Sequence, residues 1–215
     1  MPSIITAGDA SNGLVVASGN DGAVVIQSGL AGAKVDAISI AADGTPTYVA
    51  PTGAVAKAVA PIQLGTAVAT TSGTSIDFTG IPAGVKRITV MFNGVSTNGT
   101  SLTQLQVGSG SVTTSGYNSS GTTNGASSSN IGSGLLVHGR AQNTNQIRGA
   151  LTLSLIDSNT WVYSGTTQPN PSSTDVYMLA GNTPALAGAL DRLRLTTING
   201  TDAFDLGSVN ISWEF

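Results

Sequence analysis

Apolar and polar residues alternate along much of the chain with the two-residue period of a half-buried strand. Within 87–93, Ile88, Val90 and Phe92 fall on one face. Near the end, Val209, Ile211, Trp213 and Phe215 do the same, with Asn210, Ser212 and Glu214 opposite. Strand-like runs recur at 68–71, 75–78, 86–93, 102–107, 135–138, 147–156, 161–164, 176–180, 191–198 and 208–215, separated by Gly-rich turns. Short strands at this spacing predict an all-β fold, with a C-terminal β-sandwich or jelly roll over 64–215. One stretch departs from the pattern. Within 184–193, Leu186, Leu190 and Leu193 have the spacing of a helical turn leading into a strand.

Before residue 64 the pattern is thinner. Runs at 14–17 and 23–26 flank Asn20-Asp21-Gly22, and runs at 37–40 and 47–49 flank Asp43-Gly44. Asp-Gly between two β-rich runs signals a hairpin. These hairpins hold few large apolar residues, and isolated hairpins need partners. The reading is a small N-terminal β-hairpin stem region over 1–50 that needs partners to be stable. Pro51 and Pro61 bracket an Ala/Val stretch, so 51–63 reads as a linker. The segment 108–134 is nearly all Gly, Ser, Thr and Asn, with Tyr117 its one aromatic, and reads as a long surface loop.

Composition narrows the function. Gly, Ser, Thr and Asn supply 94 of 215 residues, while charged residues supply only 9%, against about 25% in ordinary soluble domains. That balance suits the surface of an extracellular particle better than a metabolic enzyme. Eight Lys and Arg cannot build a phosphate-binding face, so nucleic acid is not an expected partner. No Cys and one His argue against zinc and thiol chemistry, and no cofactor is expected. No apolar run is long enough to span a bilayer, so no membrane insertion is expected. Residues 1–9 lack the basic-then-apolar pattern of a signal peptide.

Candidate chemistry is sparse. Asp202 and Asp205 lie three apart, and paired carboxylates are the machinery of glycosidases. Asn199-Gly200 just before them equally makes an ordinary turn. His138 has no Gly-x-Ser-x-Gly nucleophile elbow to serve. Asp9, Asp21 and Asp43 lack calcium-loop spacing. No catalytic or metal site is expected. Carbohydrate binding needs an aromatic face for the sugar ring and planar polar groups for its hydroxyls. Tyr117, Trp161 and Tyr163 are candidate faces, and Asn118, His138 and Arg140 candidate donors. Trp161 and Tyr163 share one strand face, which also fits a core face.

Two segments carry a resemblance. Residues 78–100 (Phe-Thr-Gly-Ile-Pro-Ala-Gly-Val-Lys-Arg-Ile-Thr-Val-Met-Phe-Asn-Gly-Val-Ser-Thr-Asn-Gly-Thr) and 190–211 (Leu-Asp-Arg-Leu-Arg-Leu-Thr-Thr-Ile-Asn-Gly-Thr-Asp-Ala-Phe-Asp-Leu-Gly-Ser-Val-Asn-Ile) resemble structural proteins of tailed bacteriophages, of the tail-fibre and tail-spike type. The hairpins at 1–50 are similar, more loosely, to trimeric fibre stems. The resemblance implies a homotrimeric, non-enzymatic virion protein that meets other virion proteins through its N-terminal region and a host surface glycan through its sandwich loops. The alternative is a decoration or cement protein on the capsid. A glycan depolymerase is disfavoured, because such spikes carry a long β-helix for which 215 residues leave no room.

Overall fold

Every regular element among the described residues is a β-strand. The computed structural model describes residues 15–18, 24–28, 35–40, 46–49, 55–57, 62–123, 126–139, 143–170 and 174–215, with the backbone alone for 15–57 and 126–129. The chain divides into two compact units, Met1–Ala60 and Pro61–Phe215.

The first unit is one antiparallel sheet in chain order: β1 (Val15–Ser18), β2 (Val24–Ser28), β3 (Val35–Ile40), β4 (Pro46–Val49) and β5 (Val55–Lys57). β1 pairs with β2 and β3 with β4, closing at Ser18↔Val24 and Ile40↔Pro46. These are the pairings that the Asp-Gly signals predict; the Asp-Gly turns themselves lie outside the described residues. β5 falls within the stretch read as a linker and pairs with β4 at Val49↔Val55.

The second unit holds β6 (Gln63–Leu64), β7 (Val68–Ala69), β8 (Ser75–Thr79), β9 (Arg87–Thr97), β10 (Thr103–Ser109), β11 (Ser111–Val112), β12 (Asn118–Thr123), β13 (Ala126–Ile131), β14 (Leu135–Leu136), β15 (Ile147–Leu155), β16 (Trp161–Gln168), β17 (Tyr177–Asn182), β18 (Arg192–Thr197) and β19 (Phe204–Glu214). They form two antiparallel sheets in a sandwich. The larger runs β13-β12-β17-β16-β15-β9-β19-β6, with β7 also on β19. The smaller runs β11-β10-β18-β8, with β14 on β10. Alternating residues of both sheets meet in one apolar core. Leu105, Val107, Leu193 and Leu195 come from the smaller sheet; Ile88, Val90, Leu151, Leu153 and Val209 come from the larger. The alternation predicted for 87–93 and 208–215 holds: Ile88, Val90, Phe92, Val209 and Ile211 are buried, Trp213 packs partly against them, and Phe215 stays exposed.

Two expectations are corrected. The first is the helical turn over 184–193, where the backbone is irregular instead. Leu186 and Leu190 are buried from a non-helical path pinned by the Leu186 amide on the Asn159 carbonyl at 3.1 Å and the Asp191 amide on the Gly108 carbonyl at 3.0 Å. Leucines three or four apart fill the core from a bent strand approach as well as from a helix. The second is the surface loop over 108–134, which contains β11, β12 and β13. β12 pairs on both sides, with β13 and β17. Its inward residues are Ser119 and Gly121, and a Cβ at Gly121 would strike Leu179 of β17. The strand is therefore built of small residues because its neighbours supply the bulk.

Two of the crossings between sheets lie side by side, at 98–102 from β9 to β10 and at 198–203 from β18 to β19. The two crossings are laced together. The Asn98 amide donates to the Ala203 carbonyl at 2.9 Å, and the Ile198 amide to the Leu102 carbonyl at 2.9 Å. The Ala203 amide donates to Asn98 Oδ1 at 3.0 Å and the Ser101 amide to Asp202 Oδ2 at 2.8 Å. A Cβ at Gly99 would land on the Asp202 carboxylate.

Core and edge leucines should separate cleanly in urea unfolding. Leu151→Ala, at a fully buried site of the larger sheet, should cost about 2–5 kcal/mol through the cavity it leaves. Leu64→Ala, on a side chain 68% exposed, should change stability by no more than about 0.5 kcal/mol.

Candidate functional site

The residues expected to touch a ligand are mostly inside the protein. Tyr117, His138, Trp161 and Tyr163 are 2–5% exposed. Trp161 and Tyr163 do share a face of β16, and that face is core. The Tyr117 hydroxyl accepts the Val107 amide at 2.8 Å and lies 2.9 Å from the Thr113 carbonyl, to which it donates. It therefore ties the start of β12 to β10 and offers no stacking surface. The Tyr163 hydroxyl meets Ser119 Oγ at 2.6 Å, and Ser119 Oγ in turn accepts the Leu136 amide at 2.7 Å. Burial pushes both tyrosines up to about 12. His138 Nε2 accepts the Thr103 amide at 3.3 Å inside the sandwich. Asn118 stands exposed at the start of β12. Arg140 lies outside the described residues. Of the five described, four are buried and Asn118 alone is exposed.

The acid pair is structural. Asp202 accepts from the Ser101 amide and, through Oδ1, from Asn199 Nδ2 at 2.6 Å. Asp205 Oδ1 accepts from Ser96 Oγ at 2.6 Å. The two carboxylates hold the crossing between the sheets. Among the described residues, no group of three or more His, Asp or Glu converges on a metal position. Asp9, Asp21 and Asp43 lie outside the described residues.

What the structure assembles instead is a polar groove of about 410 Å³ on the outer face of the smaller sheet. Side chains of a strand alternate between faces. With Leu105 and Val107 turned to the core, Gln104 and Gln106 point outward, as do Arg194 and Thr196 on β18 and Ser75 and Asp77 on β8. The register sets these in two rows across three strands: Gln106–Arg194–Asp77 and Gln104–Thr196–Ser75. Thr114, Ser133 and Asn199 close the rim.

The groove is rigid. Gln104 and Gln106 are 2% and 6% exposed although they face outward. Gln106 Nε2 donates to the Ser133 carbonyl at 2.9 Å, and Ser133 Oγ donates to Gln104 Oε1 at 2.7 Å. Gln104 Nε2 donates to the Thr197 carbonyl at 3.4 Å. These bonds fix the orientation of both amides and leave Gln106 Oε1 with no protein partner among the described residues. Arg194 grips Asp77 with two parallel bonds, Nε to Oδ1 at 2.7 Å and Nη2 to Oδ2 at 2.8 Å. That contact raises Arg194 above its ordinary value and neutralises its charge locally. Arg194 Nη1 has no protein partner among the described residues. A free acceptor and a free donor thus stand on adjacent strands in a groove of near-zero net charge.

Sequence reading passed over Gln104, Gln106 and Arg194. The signal was there in part: Thr-Gln-Leu-Gln-Val over 103–107 puts two long amides on one face of a strand. That Arg194 stands opposite Gln106 depends on register, which the linear sequence does not display. Comparison of the chain with protein-family models, curated proteins and solved structures yields no match.

Two measurements check the buried tyrosines. Tyr117→Phe leaves the Val107 amide and Thr113 carbonyl without their partner and should cost about 1–3 kcal/mol in urea unfolding, with the fold unchanged. Both tyrosines sit at about 12 in the folded chain against an ordinary value of 10. Their contribution is therefore fully present below pH 10 and is lost as pH rises from 10 towards 12. Unfolding followed across that window should show stability falling, and less steeply in the Tyr117→Phe variant.

Proposed function

We propose that the chain is a non-enzymatic structural protein of a tailed-bacteriophage virion: a homotrimeric tail fibre with an N-terminal hairpin region joined to other virion proteins. Its jelly-roll-like sandwich faces outward and attaches to glycan on the host surface. One observation carries the reading. The two segments that resemble phage structural proteins, 78–100 and 190–211, are neighbours in space. β8 pairs with β18 in the smaller sheet, and β9 with β19 in the larger. These two segments thus make the frame of the sandwich. The span between them, 101–189, supplies β10 to β17 and, with Gln104, Gln106, Thr114 and Ser133, a third of the groove lining; the segment 190–211 supplies half of it. A strand frame that carries exposed faces and loops tolerates change at its surface without losing the fold, which suits an attachment protein. The neutral, hydroxyl- and amide-rich groove adds support, since such groups suit polyhydroxylated ligands. Weak single sites become firm attachment when several copies act together.

Light scattering on the purified chain should give the mass of three 21.3-kDa copies. Antibody-gold labelling of particles should mark the tail. A stable monomer at micromolar concentration would refute the trimer, and label spread over the head shell would replace the fibre by a capsid decoration protein. Removing residues 1–60 should leave a soluble, folded sandwich that no longer joins the particle. Incorporation of that truncated chain would move the attachment role to the sandwich.

A further inference from the structure

We infer that the groove on the smaller sheet binds a neutral sugar through two adjacent ring hydroxyls, one donating to Gln106 Oε1 and its neighbour accepting from Arg194 Nη1. For its biological use this rests on the attachment reading above; its chemistry stands on the groove alone. Gln106 and Arg194 are directly opposed on β10 and β18, and such cross-strand neighbours stand about 5 Å apart at Cβ. Each is locked by its other atoms: Gln106 through the Ser133 carbonyl, Arg194 through Asp77. What remains free is one acceptor beside one donor. A vicinal diol answers that pair, because each hydroxyl both donates and accepts.

Charge decides the class of sugar. Asp77 already matches Arg194, so a carboxylate entering the groove would gain little from the guanidinium and would meet the lone pairs of Gln106 Oε1. An ammonium group would meet Arg194. A hydroxyl meets neither penalty. The cavity of about 410 Å³ is within the range of roughly 300–1,000 Å³ usual for small-molecule sites. The amides are oriented before the ligand arrives, so little ordering is lost on binding.

The test is a titration of the isotope-labelled full chain, followed by NMR. The probes are the methyl glycosides of glucose, galactose and mannose, with glucuronic and galacturonic acids in parallel. At least one neutral glycoside should shift the side-chain amide signals of Gln106 and the guanidinium signals of Arg194, saturating in the millimolar range. The acids should bind about tenfold more weakly or not at all. Gln106→Met removes the free acceptor, and Arg194→Lys replaces the fixed planar donor by a shorter, rotatable ammonium that loses the two-point grip on Asp77; each should weaken binding about tenfold. Backbone spectra report whether each variant is folded. Thr166→Ala, on the exposed face of the larger sheet, should change nothing. Silence with every neutral glycoside overturns the inference, as does equal binding of the acids or undiminished binding by folded Gln106→Met and Arg194→Lys. A chain labelled on the tail whose groove stays silent keeps the fibre and loses this site. A chain labelled on the head shell that still binds sugar does the reverse.

Discussion

β9 and β19 are the longest strands, 11 residues each, and they pair antiparallel from Arg87↔Glu214 to Thr97↔Phe204. The contact joins two parts of the chain more than a hundred residues apart in sequence, so closing it fixes a large loop at once. Every other strand of the larger sheet is laid down on one side of this pair or the other. At the Phe204 end the pairing slips between Phe204 and Leu206 and again between Leu206 and Ser208. Such bulges bend and twist a strand. Gly207, at φ +92°, makes the bend feasible, since a Cβ there would run into the Gly94 carbonyl. Immediately beyond, both strands leave for the smaller sheet through the laced crossings. One pairing thus sets the larger sheet, the sandwich corner and the position of β10 and β18, on which the groove lies.

Charge does little to hold this together. The ion pairs Arg87–Glu214, Arg192–Asp191 and Arg194–Asp77 all have substantial solvent exposure, and exposed pairs contribute about 0–1 kcal/mol. Hydroxyls do more. Buried Thr70 donates to the Leu206 carbonyl at 2.7 Å, and Thr167 to the Val137 carbonyl at 2.7 Å. Both close carbonyls that strand pairing leaves open near irregular backbone. A buried carbonyl without a partner is costly, and a short hydroxyl reaches it without adding bulk. The Ser- and Thr-rich composition that looks like solvated surface in the sequence is, in part, interior wiring.

This explains where sequence reading succeeded and failed. Strands with alternating large apolar residues, such as β9, β15 and β19, were legible because burial imposes their period. β12, reading Asn-Ser-Ser-Gly-Thr-Thr, was not. Its inward side chains must be small where Leu179 and Tyr163 press against it, so the hydrophobic period vanishes just where packing is tight. The aromatic candidates failed for a related reason. Tyr117 and Tyr163 look like surface residues because they carry hydroxyls, yet each hydroxyl finds partners in the interior. With aromatics at 5% of the chain, the core takes nearly all of them: among the described aromatics only Phe215 is markedly exposed, at 40%. The groove escaped because it is a property of register. Gln106, Arg194 and Asp77 come from three strands spread over the chain and mean nothing until those strands are aligned.

The same scarcity shapes what the surface can recognise. A protein that commits nearly all of its described aromatic rings to the core offers few stacking platforms among the described residues, so discrimination there rests chiefly on hydrogen bonds. Those discriminate well only if the protein groups are held still, because a mobile amide adapts to any ligand and favours none. Gln104 and Gln106 meet that condition through Ser133 and Thr197. Their low exposure is what makes them rigid, and Gln106 Oε1, unmatched in a nearly closed side chain, is where rigidity becomes selectivity. A site of this kind trades affinity for fit. A few neutral contacts, each worth about 0.5–1.5 kcal/mol, make a weak site alone, and on the attachment role proposed above repetition of the site on several chains is the physical remedy. Recognition through fixed amides, as proposed for this groove, would therefore gain most from multiple copies.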